Sequence, residues 1–287
     1  MNLPESVGTL IDLALSEDLG GTGDITSRAF IPEASRSHAC IVAREACIAS
    51  GLEVAIEVFR RVDPSLNVVP HCAEGDPVSK GSSLIDLHGS SRSILSGERT
   101  ALNFLGRLCG IATQAHRYAD AVAGTKAVLL DTRKTTPGWR LLEKAAVKDG
   151  GCTNHRMGLY DAVLVKDNHL AALGDLALLP PVIDRLRTEH PGLPIEIEAD
   201  TLDQTERLLG MKWIDVILLD NMTPEQMCHA VALRDSKAPG VLLEASGGVT
   251  LERLPVIAAT GIDRISVGAL THSAPHADLS LEITDVP

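Results

Sequence analysis

The stretch AVLLDTRKTTPG, residues 127–138, decides the fold because it joins two contrasting kinds of sequence. An apolar run, long enough for a short buried strand, ends directly in Asp131, Arg133 and Lys134, and a helical pattern begins after Pro137. Two adjacent cations at the end of a buried strand are unusual in a chain whose formal net charge is −12. The arrangement of apolar run followed by polar residues recurs along the second half of the chain.

Further apolar runs end in polar residues and are separated by stretches of helix length: AVLVKDNH (162–169), IEIEAD (195–200), VILLDNM (216–222), VLLEASGG (241–248) and RISVGALT (264–271). This alternation predicts an α/β fold with a parallel sheet covered by helices. The polar residues stand at the carboxyl end of each run, where the loops of an α/β barrel converge and carry active sites. An open doubly wound sheet also binds ligands beyond its strand ends. However, the sequence contains no GxGxxG, and the polar residues are spread over all six runs, so a barrel is favoured.

The first part of the chain has a different pattern. A helix is predicted at residues 5–18 and another at 52–62, with strand-like runs ACIVAR (39–44) and ACIASG (46–51) between them. Short strands punctuated by Gly, Pro and Ser follow, and then a long helical stretch at 93–122. We therefore predict an α+β domain with an antiparallel sheet over residues 1–112 and a barrel domain over residues 113–271.

Composition excludes several classes of function. Aromatic residues make up only 2% of the chain, which argues against a nucleic-acid platform on which bases stack. The acidic net charge disfavours a general polyanion binder. The six cysteines show no CxxC spacing, so neither a zinc knuckle nor a thioredoxin-type redox site is indicated. With neither a secretory leader pattern nor an apolar run of membrane length, the sequence predicts a cytoplasmic protein with no membrane or nucleic-acid partner.

Positive charge is concentrated in one segment, since residues 131–169 carry seven Lys and Arg against five Asp and Glu. Packing like charges at one barrel mouth is costly without an anionic partner, and arginine matches carboxylate and phosphate oxygens. For Arg140, Lys144 and Lys148, surface ion pairs on a helix are the favoured interpretation. A barrel would bring together the following residues: Arg133, Lys134, Lys166, Asp167, Asn168, His169, Glu198, Asp220, Asn221, Glu244, Ser246 and Thr271, with Asn154, His155 and Arg156 from the loop before the second strand.

Glycine loops follow the last two strands, in EASGGV and SVGALT, where backbone N–H groups can approach a phosphate. Glu198 and Asp220 end neighbouring strands, and they could bind Mg²⁺, accept hydrogen bonds from sugar hydroxyls or balance nearby lysines. Glu196 shares a face with Glu198, and the pattern does not choose between the two. We interpret His155 as a hydrogen-bonding residue that lines an anion pocket. The histidines indicate no metal site.

Several motifs of the chain resemble the signature of the quinolinate phosphoribosyltransferase family. In order along the chain they are EDLGGTGDIT, EGDPVSKG, SGERTALNFL, DTRKTTPG, NHR with DAVLVKDNH, LLDN, EASGG and VGALTHS. The resemblance covers nearly the whole chain. It implies an N-terminal α+β open-faced sandwich and an incomplete, TIM-like α/β barrel, with the tail 272–287 returning to the first domain. It also implies transfer of phosphoribosyl from phosphoribosyl pyrophosphate to quinolinate with decarboxylation and Mg²⁺, in a homodimer; the sequence leaves higher assembly open.

The resemblance also assigns roles to residues at matching positions. Those that would bind the two carboxylates of quinolinate are Arg133, His155, Arg156 and Lys166, with Arg99 from the neighbouring subunit. Those that would face the ribose, the pyrophosphate and the metal are Lys134, Glu198 and Asp220. Together with Lys166 they form the expected catalytic set. Glu198 and Asp220 are also the expected metal ligands. Those that would complete the substrate site are Thr132 and the 5′-phosphate group Ser246, Gly247, Gly248 and Gly268.

Alternative functions remain. A barrel protein associated with molybdenum transport shares DTRKT, and a nicotinate phosphoribosyltransferase would need fewer cations because its substrate has one carboxylate. A lipoyl- or biotinyl-type carrier is suggested by the turns of EGDPVSKGSSLIDLHG, but the hairpin tip MKM is absent and Lys80 is better interpreted as a turn residue. One departure from the family pattern is Cys152, which follows Gly150 and Gly151 where a third glycine is common.

Overall fold

The computed structural model describes residues 3–174 and 176–285. The helices are α1 (Glu5–Leu19), α2 (Ile25–Phe30), α3 (Leu52–Val62), α4 (Ser91–Ala121), α5 (Arg140–Asp149), α6 (Asp167–Leu173), α7 (Leu179–Glu189), α8 (Leu202–Leu209), α9 (Pro224–Lys237), α10 (Leu254–Ala259) and α11 (Ala269–His272), with a 3₁₀ turn at Leu176–Leu178. The strands are β1 (Arg36–Ala43), β2 (Cys47–Ile48), β3 (Asn67–Pro70), β4 (Pro77–Val78), β5 (Ser83–Ser90), β6 (Val128–Leu130), β7 (Val163–Val165), β8 (Ile195–Ala199), β9 (Val216–Asp220), β10 (Leu242–Ser246), β11 (Arg264–Ser266) and β12 (Leu279–Asp285).

The chain divides into two compact units. The first contains residues 1–117, 135–151 and 270–287, and the second contains residues 118–134 and 152–269. The segment that carries α5 therefore clusters with the first unit, although it follows β6 of the second unit directly in sequence.

The first unit is built on an antiparallel sheet in the order β12-β1-β5-β3. Ile41 of β1 pairs with Ile85 of β5 on one side and with Leu281 of β12 on the other, so the C-terminal strand returns to this sheet. The predicted helices at 52–62 and 93–122 are confirmed as α3 and α4. The predicted strand at 46–51 is shorter than expected, because the chain turns into α3 at Gly51, whose φ is +90°.

The second unit contains a parallel sheet in the order β6-β11-β10-β9-β8-β7, and each of the six predicted apolar runs supplies one strand. This is the strand order of an α/β barrel in which the first and second strands do not meet. Between β6 and β7 no pairing exists among the described residues, and Leu130 at the end of β6 instead bridges to Thr153. The fold therefore contains the expected incomplete barrel and, in the first unit, an N-terminal antiparallel sheet.

The interior face of this barrel is unusually polar. The register pairs Glu244 with Leu218 and Arg264, and Ser246 with Asp220. Along β8, alternation places Glu196 and Glu198 on one face, and both are at most 6% exposed. The interior of such barrels is usually filled with Val, Ile and Leu. Buried carboxylates in their place are costly unless cations or hydrogen-bond donors balance them.

Within the described ranges, no helix combines the length and apolar character that crossing a membrane requires.

Candidate active site

A cavity of about 470 Å³ lies at the carboxyl ends of the parallel strands, entirely within the second unit. Its lining contains most of the residues that the sequence assigned to a binding site. They are Thr132, Arg133, Lys134, His155, Arg156, Lys166, Asp220, Ser246, Gly247 and Gly248. The cavity therefore gathers cations that follow β6 and β7, or lie in the loop between these strands, together with a glycine loop after β10.

The remaining predicted residues lie elsewhere. Glu198 does not line the cavity, but its Oε2 accepts a hydrogen bond from Nζ of Lys166 at 2.8 Å. Gly268, two residues after β11, is not among the described lining residues. Arg99 is an exposed residue of α4 in the first unit. Thr271 also belongs to the first unit, where its carbonyl accepts a hydrogen bond from Arg107.

The threonines of DTRKTTPG have structural roles. Oγ1 of Thr132 accepts from the N–H of Lys134 at 3.1 Å, which shapes the cationic loop. In the first unit, Thr136 donates to the fully buried Glu143 at 2.8 Å, and Glu143 also accepts from Arg107. The motif thus contributes Arg133 and Lys134 to the second unit, whereas its residues 135–138 belong to the first unit.

The interpretation of Lys144 as a surface residue is wrong, because its side chain is only 1% exposed. It lies on α5 one turn before the buried Val147, on a face that packs inside the first unit. Lys148 is exposed, as expected, and Arg140 is half-buried with its Nε donating to Thr135.

Asp131 is fully buried at the end of β6 and binds the loop that carries Asn154, His155 and Arg156. Its Oδ1 accepts from the backbone N–H of His155 at 2.9 Å, and its Oδ2 accepts from the amide of Asn154 at 3.0 Å. Cys152, at the start of this loop, does not have a positive φ, so the residue that replaces the third glycine causes no backbone strain.

His155 lies against two carboxylates of the barrel interior. Its Nε2 is 3.0 Å from Oε2 of Glu196 and 3.5 Å from Oε1 of Glu244. Burial lowers the pKa of His155, but hydrogen bonds and charge from these two glutamates outweigh it and raise the pKa to about 9. Burial raises the pKa of Glu196, an effect that Glu244 reinforces and His155 opposes.

The strand β8 contributes two glutamates with different partners, although the pattern of the sequence does not distinguish them. Glu196 faces His155, whereas Glu198 faces Lys166 and also accepts from the backbone N–H of Asp167 at 3.3 Å. Burial raises the pKa of Asp220, and the nearby Glu198 raises it further. Burial and the adjacent charge of Arg133 lower the pKa of the Arg156 guanidinium.

A backbone hydrogen bond joins the ends of β9 and β10 next to the glycine loop of Gly247 and Gly248. The N–H of Asn221 donates to the carbonyl of Ser246 at 2.9 Å. Gly247 has φ +90°, and a Cβ at this position would lie 2.2 Å from Oδ1 of Asn221. Gly248 has φ +57°, and its carbonyl accepts from Arg253 at 2.7 Å. The close packing and positive φ explain why two consecutive glycines are needed.

Sequence reasoning missed two contributions. The sequence predicted no role for Asp131, although a carboxylate at the end of an apolar strand is costly to bury without partners and so indicates that partners are present. The contact of His155 with Glu196 and Glu244 could not be found from sequence, because it depends on the strand register.

A barrel whose strand ends carry converging cations, paired carboxylates and a glycine loop defines an enzyme class that acts on anionic substrates such as sugar phosphates. Residues 111–282 match the family described as quinolinate phosphoribosyl transferase, C-terminal domain, and residues 24–109 match the corresponding N-terminal domain. The chain belongs to the quinolinate phosphoribosyltransferase family.

Individual relatives agree over nearly the whole chain. The nicotinate-nucleotide pyrophosphorylase [carboxylating] of Mycobacterium leprae is 42% identical over 275 residues, with 94% of each chain covered. The probable enzyme of that name from Bacillus subtilis is 40% identical, with 93% of this chain and 90% of the relative covered. The solved structure of the nicotinate-nucleotide pyrophosphorylase from Francisella tularensis superposes with a TM-score of 0.90 at 34% identity, with 99% of this chain and 98% of that chain covered.

Proposed function

We propose that the protein transfers a phosphoribosyl group from phosphoribosyl pyrophosphate to quinolinate with loss of CO₂. The products are nicotinate mononucleotide and pyrophosphate, a step of NAD biosynthesis. The observation that carries this proposal is the cavity at the strand ends, where Arg133, Lys134, Arg156 and Lys166 line one space together with a glycine loop. Two anionic substrates must bind in the same cavity in this reaction, and both need fixed cations to bind their negative charges.

Quinolinate is a planar dianion, and we assign its carboxylates to Arg133, His155, Arg156 and Lys166. Arginine forks can hold carboxylate oxygens in a bidentate way, whereas lysine acts as a point charge. Holding the diacid with its ring nitrogen next to the sugar replaces a bimolecular encounter by a fixed geometry. Arg99 of a neighbouring subunit is proposed to complete this set, since the family resemblance assigns it across a homodimer.

The sugar phosphate is assigned to the opposite wall of the cavity. Ser246, Gly247 and Gly248, with Gly268 after the next strand, are proposed to bind the 5′-phosphate through a hydroxyl and backbone N–H groups. The positive φ of Gly247 and Gly248 supports this role, because such a loop can expose consecutive N–H groups. Lys134 and Thr132 are assigned to the pyrophosphate and ribose.

Magnesium is proposed to bind near Glu198 and Asp220. Their carboxylate oxygens and one of Asp200 lie within 4.8 Å of one another, which suits a hard cation that prefers oxygen ligands. When bound, Mg²⁺ would neutralise the charge of the leaving pyrophosphate. Lys166 already balances part of the charge of this carboxylate group through Glu198.

The protein's own residues supply the remaining chemistry. As pyrophosphate leaves, positive charge develops on the ribose ring, and Glu198 and Asp220 can stabilise it. Once the ring nitrogen is ribosylated, its positive charge stabilises the electron pair left on C2 as the C2 carboxylate departs as CO₂, and a proton from solvent then adds to C2 to give nicotinate mononucleotide. No covalent nucleophile is needed. Burial raises the pKa of the Cys152 thiol to about 12, which makes it a poor nucleophile at neutral pH.

We further propose that the protein forms a homodimer and works in the cytoplasm. The proposal does not specify whether dimers assemble further. All six cysteines are free thiols in the structure, which supports a reducing compartment.

The test is incubation of the purified protein with quinolinate, phosphoribosyl pyrophosphate and Mg²⁺, with nicotinate in parallel. Release of labelled CO₂ from quinolinate labelled in its 2-carboxyl group and formation of nicotinate mononucleotide are expected, with little product from nicotinate. Equal turnover of nicotinate would favour a nicotinate phosphoribosyltransferase. Binding without turnover of either acid would favour a non-catalytic regulator that senses a sugar phosphate.

A further inference from the structure

Asn221 has an uncommon backbone conformation at the mouth of the proposed substrate cavity, and the proposed function gives its side chain no role. Its φ is +53°, and the only other non-glycine residue with positive φ among the described residues is Trp213. Asparagine tolerates this left-handed conformation better than most residues do. Non-glycine residues in sparsely populated backbone regions concentrate at functional sites, where their surroundings hold them in place.

The backbone of Asn221 is held by contacts on both sides of the turn. Its N–H donates to the carbonyl of Ser246 at 2.9 Å, which joins the end of β9 to the end of β10. The next residue, Met222, is only 2% exposed, so the chain returns to the core directly after Asn221. Asn221 itself is exposed and lines the cavity. The turn therefore presents this side chain to the space in which the substrates are proposed to bind.

The side-chain amide of Asn221 binds the carboxylate of the preceding residue. Its Nδ2 donates to Oδ2 of Asp220 at 2.6 Å. The opposite orientation of the amide would bring two acceptor oxygens together, so the donor has to face Asp220. On the other side lies Gly247, where a Cβ would be 2.2 Å from Oδ1 of Asn221. The amide is therefore confined between a carboxylate and the glycine loop.

Asp220 is one of the carboxylates at which Mg²⁺ is proposed to bind, and Glu198 is another. Glu198 has its own donors, which are Nζ of Lys166 and the N–H of Asp167. The side chain of Asp220 has one donor among the described residues, the amide of Asn221, and its Oδ1 accepts no hydrogen bond from them. Carboxylates that bind metal ions are themselves usually hydrogen-bonded, and these outer partners orient them towards the ion.

We propose that Asn221 is a positioning residue, whose amide binds Oδ2 of Asp220 and so orients this carboxylate to bind the divalent cation. The inference rests on the function proposed above, because the cation is the one that accompanies phosphoribosyl pyrophosphate. It also explains why an asparagine stands at this turn. Asparagine tolerates a positive φ, as glycine does, and it provides an N–H donor that glycine lacks.

Two substitutions separate the amide from the turn. Asn221→Gly removes the amide and suits the positive φ, whereas Asn221→Ala removes the amide and strains the turn. The probe is Mn²⁺ in place of Mg²⁺, with the free ion measured by EPR. We expect the Kd for Mn²⁺ to rise about tenfold or more in both variants, because loss of an outer hydrogen bond typically weakens metal binding by about 10–100-fold. Only Asn221→Ala should unfold at a clearly lower urea concentration.

Two further variants serve as controls. Asp220→Asn identifies the site, because Mn²⁺ that this variant still binds is held by other carboxylates of the acidic chain and is subtracted. Trp213→Gly makes the matched change at the other described non-glycine residue with positive φ, which does not line the cavity. It should leave the Kd for Mn²⁺ unchanged.

Steady-state kinetics provide an independent readout. In Asn221→Gly, the Mg²⁺ concentration that gives half-maximal activity should rise about tenfold, in parallel with the Kd for Mn²⁺. The KM for quinolinate should change less than about twofold, because the diacid is assigned to cations that do not contact this amide.

The outcomes separate the positioning role from the proposed function. A wild-type Kd for Mn²⁺ in Asn221→Gly would mean that only the turn matters, and it would overturn the positioning role. If the wild type turns over quinolinate but binds no Mn²⁺ beyond what Asp220→Asn binds, the positioning role is wrong and the proposed function stands. If Mn²⁺ binding depends on Asn221 as expected but quinolinate is not turned over, the proposed function fails and the role of Asn221 towards the cation stands.

Discussion

Nζ of Lys166 lies 2.8 Å from Oε2 of Glu198, and the two side chains differ sharply in exposure: 47% for the lysine and 6% for the glutamate. The ion pair therefore joins the open cavity to the barrel interior. Because the glutamate is nearly buried, its charge depends on this lysine more than a surface carboxylate would. A substitution at Lys166 should consequently affect both catalysis and stability.

Lys166→Met removes the ammonium and keeps most of the apolar stem. We expect kcat/KM for quinolinate to fall at least tenfold and the free energy of unfolding to fall by about 1–3 kcal/mol, because a buried carboxylate loses its partner. Steady-state kinetics and urea denaturation measure the two effects. Lys237→Met, which breaks the exposed pair with Glu206, is the matched control and should change neither quantity appreciably. Wild-type kinetics for Lys166→Met would contradict its place in the site.

Arg133→Ala tests the assignment of the diacid. We expect the KM for quinolinate to rise and kcat/KM to fall at least tenfold, because a charge-assisted contact of an arginine fork is worth more than ~1.4 kcal/mol. The KM for phosphoribosyl pyrophosphate should change less. Arg185→Ala, in an exposed pair on α7, serves as the control. Unchanged quinolinate kinetics would place the carboxylates elsewhere.

Much of the barrel could be predicted from sequence because its signal is local. Each barrel strand lies in a short, mostly apolar run that ends in or is followed by polar residues, as in Val216–Asp220, and that pattern is visible without knowledge of the partners. The cations of the site could be predicted for the same reason, since Lys166 directly follows β7 and Arg133 lies three residues after the end of β6. The family resemblance then supplied roles that spacing alone could not.

The features that were missed depend on tertiary structure. Glu196 and Glu198 are indistinguishable by pattern, and only the register of β8 with its neighbours gives one to His155 and the other to Lys166. The burial of Lys144 depends on which unit α5 packs in, and α5 clusters with residues far away in sequence. Helical spacing does not carry that information.

The assignment of Arg99 to a neighbouring subunit can be tested by mixing two inactive variants. Arg99→Ala and Lys166→Ala should each have low activity alone. If Arg99 acts across a dimer, subunit exchange should produce hybrid dimers with one intact site and restore part of the activity. Exchange must be verified independently, for example by mass spectrometry of differently tagged subunits. Verified hybrids without recovered activity would remove the assignment across subunits.

Gly247→Ala tests the glycine loop. The added methyl group would lie 2.2 Å from Oδ1 of Asn221 at a residue whose φ is +90°, so both sterics and backbone conformation oppose it. We expect a loss of about 1–3 kcal/mol in the free energy of unfolding. Since Asn221 must move and its N–H bonds the carbonyl of Ser246, the proposed 5′-phosphate site should open, and the KM for phosphoribosyl pyrophosphate should rise more than that for quinolinate. The matched control is Gly240→Ala, because a Cβ there would meet nothing within 4 Å. If Gly247→Ala kept wild-type KM for phosphoribosyl pyrophosphate while losing stability, the loop would be a structural turn and the phosphate would have to bind at another strand end.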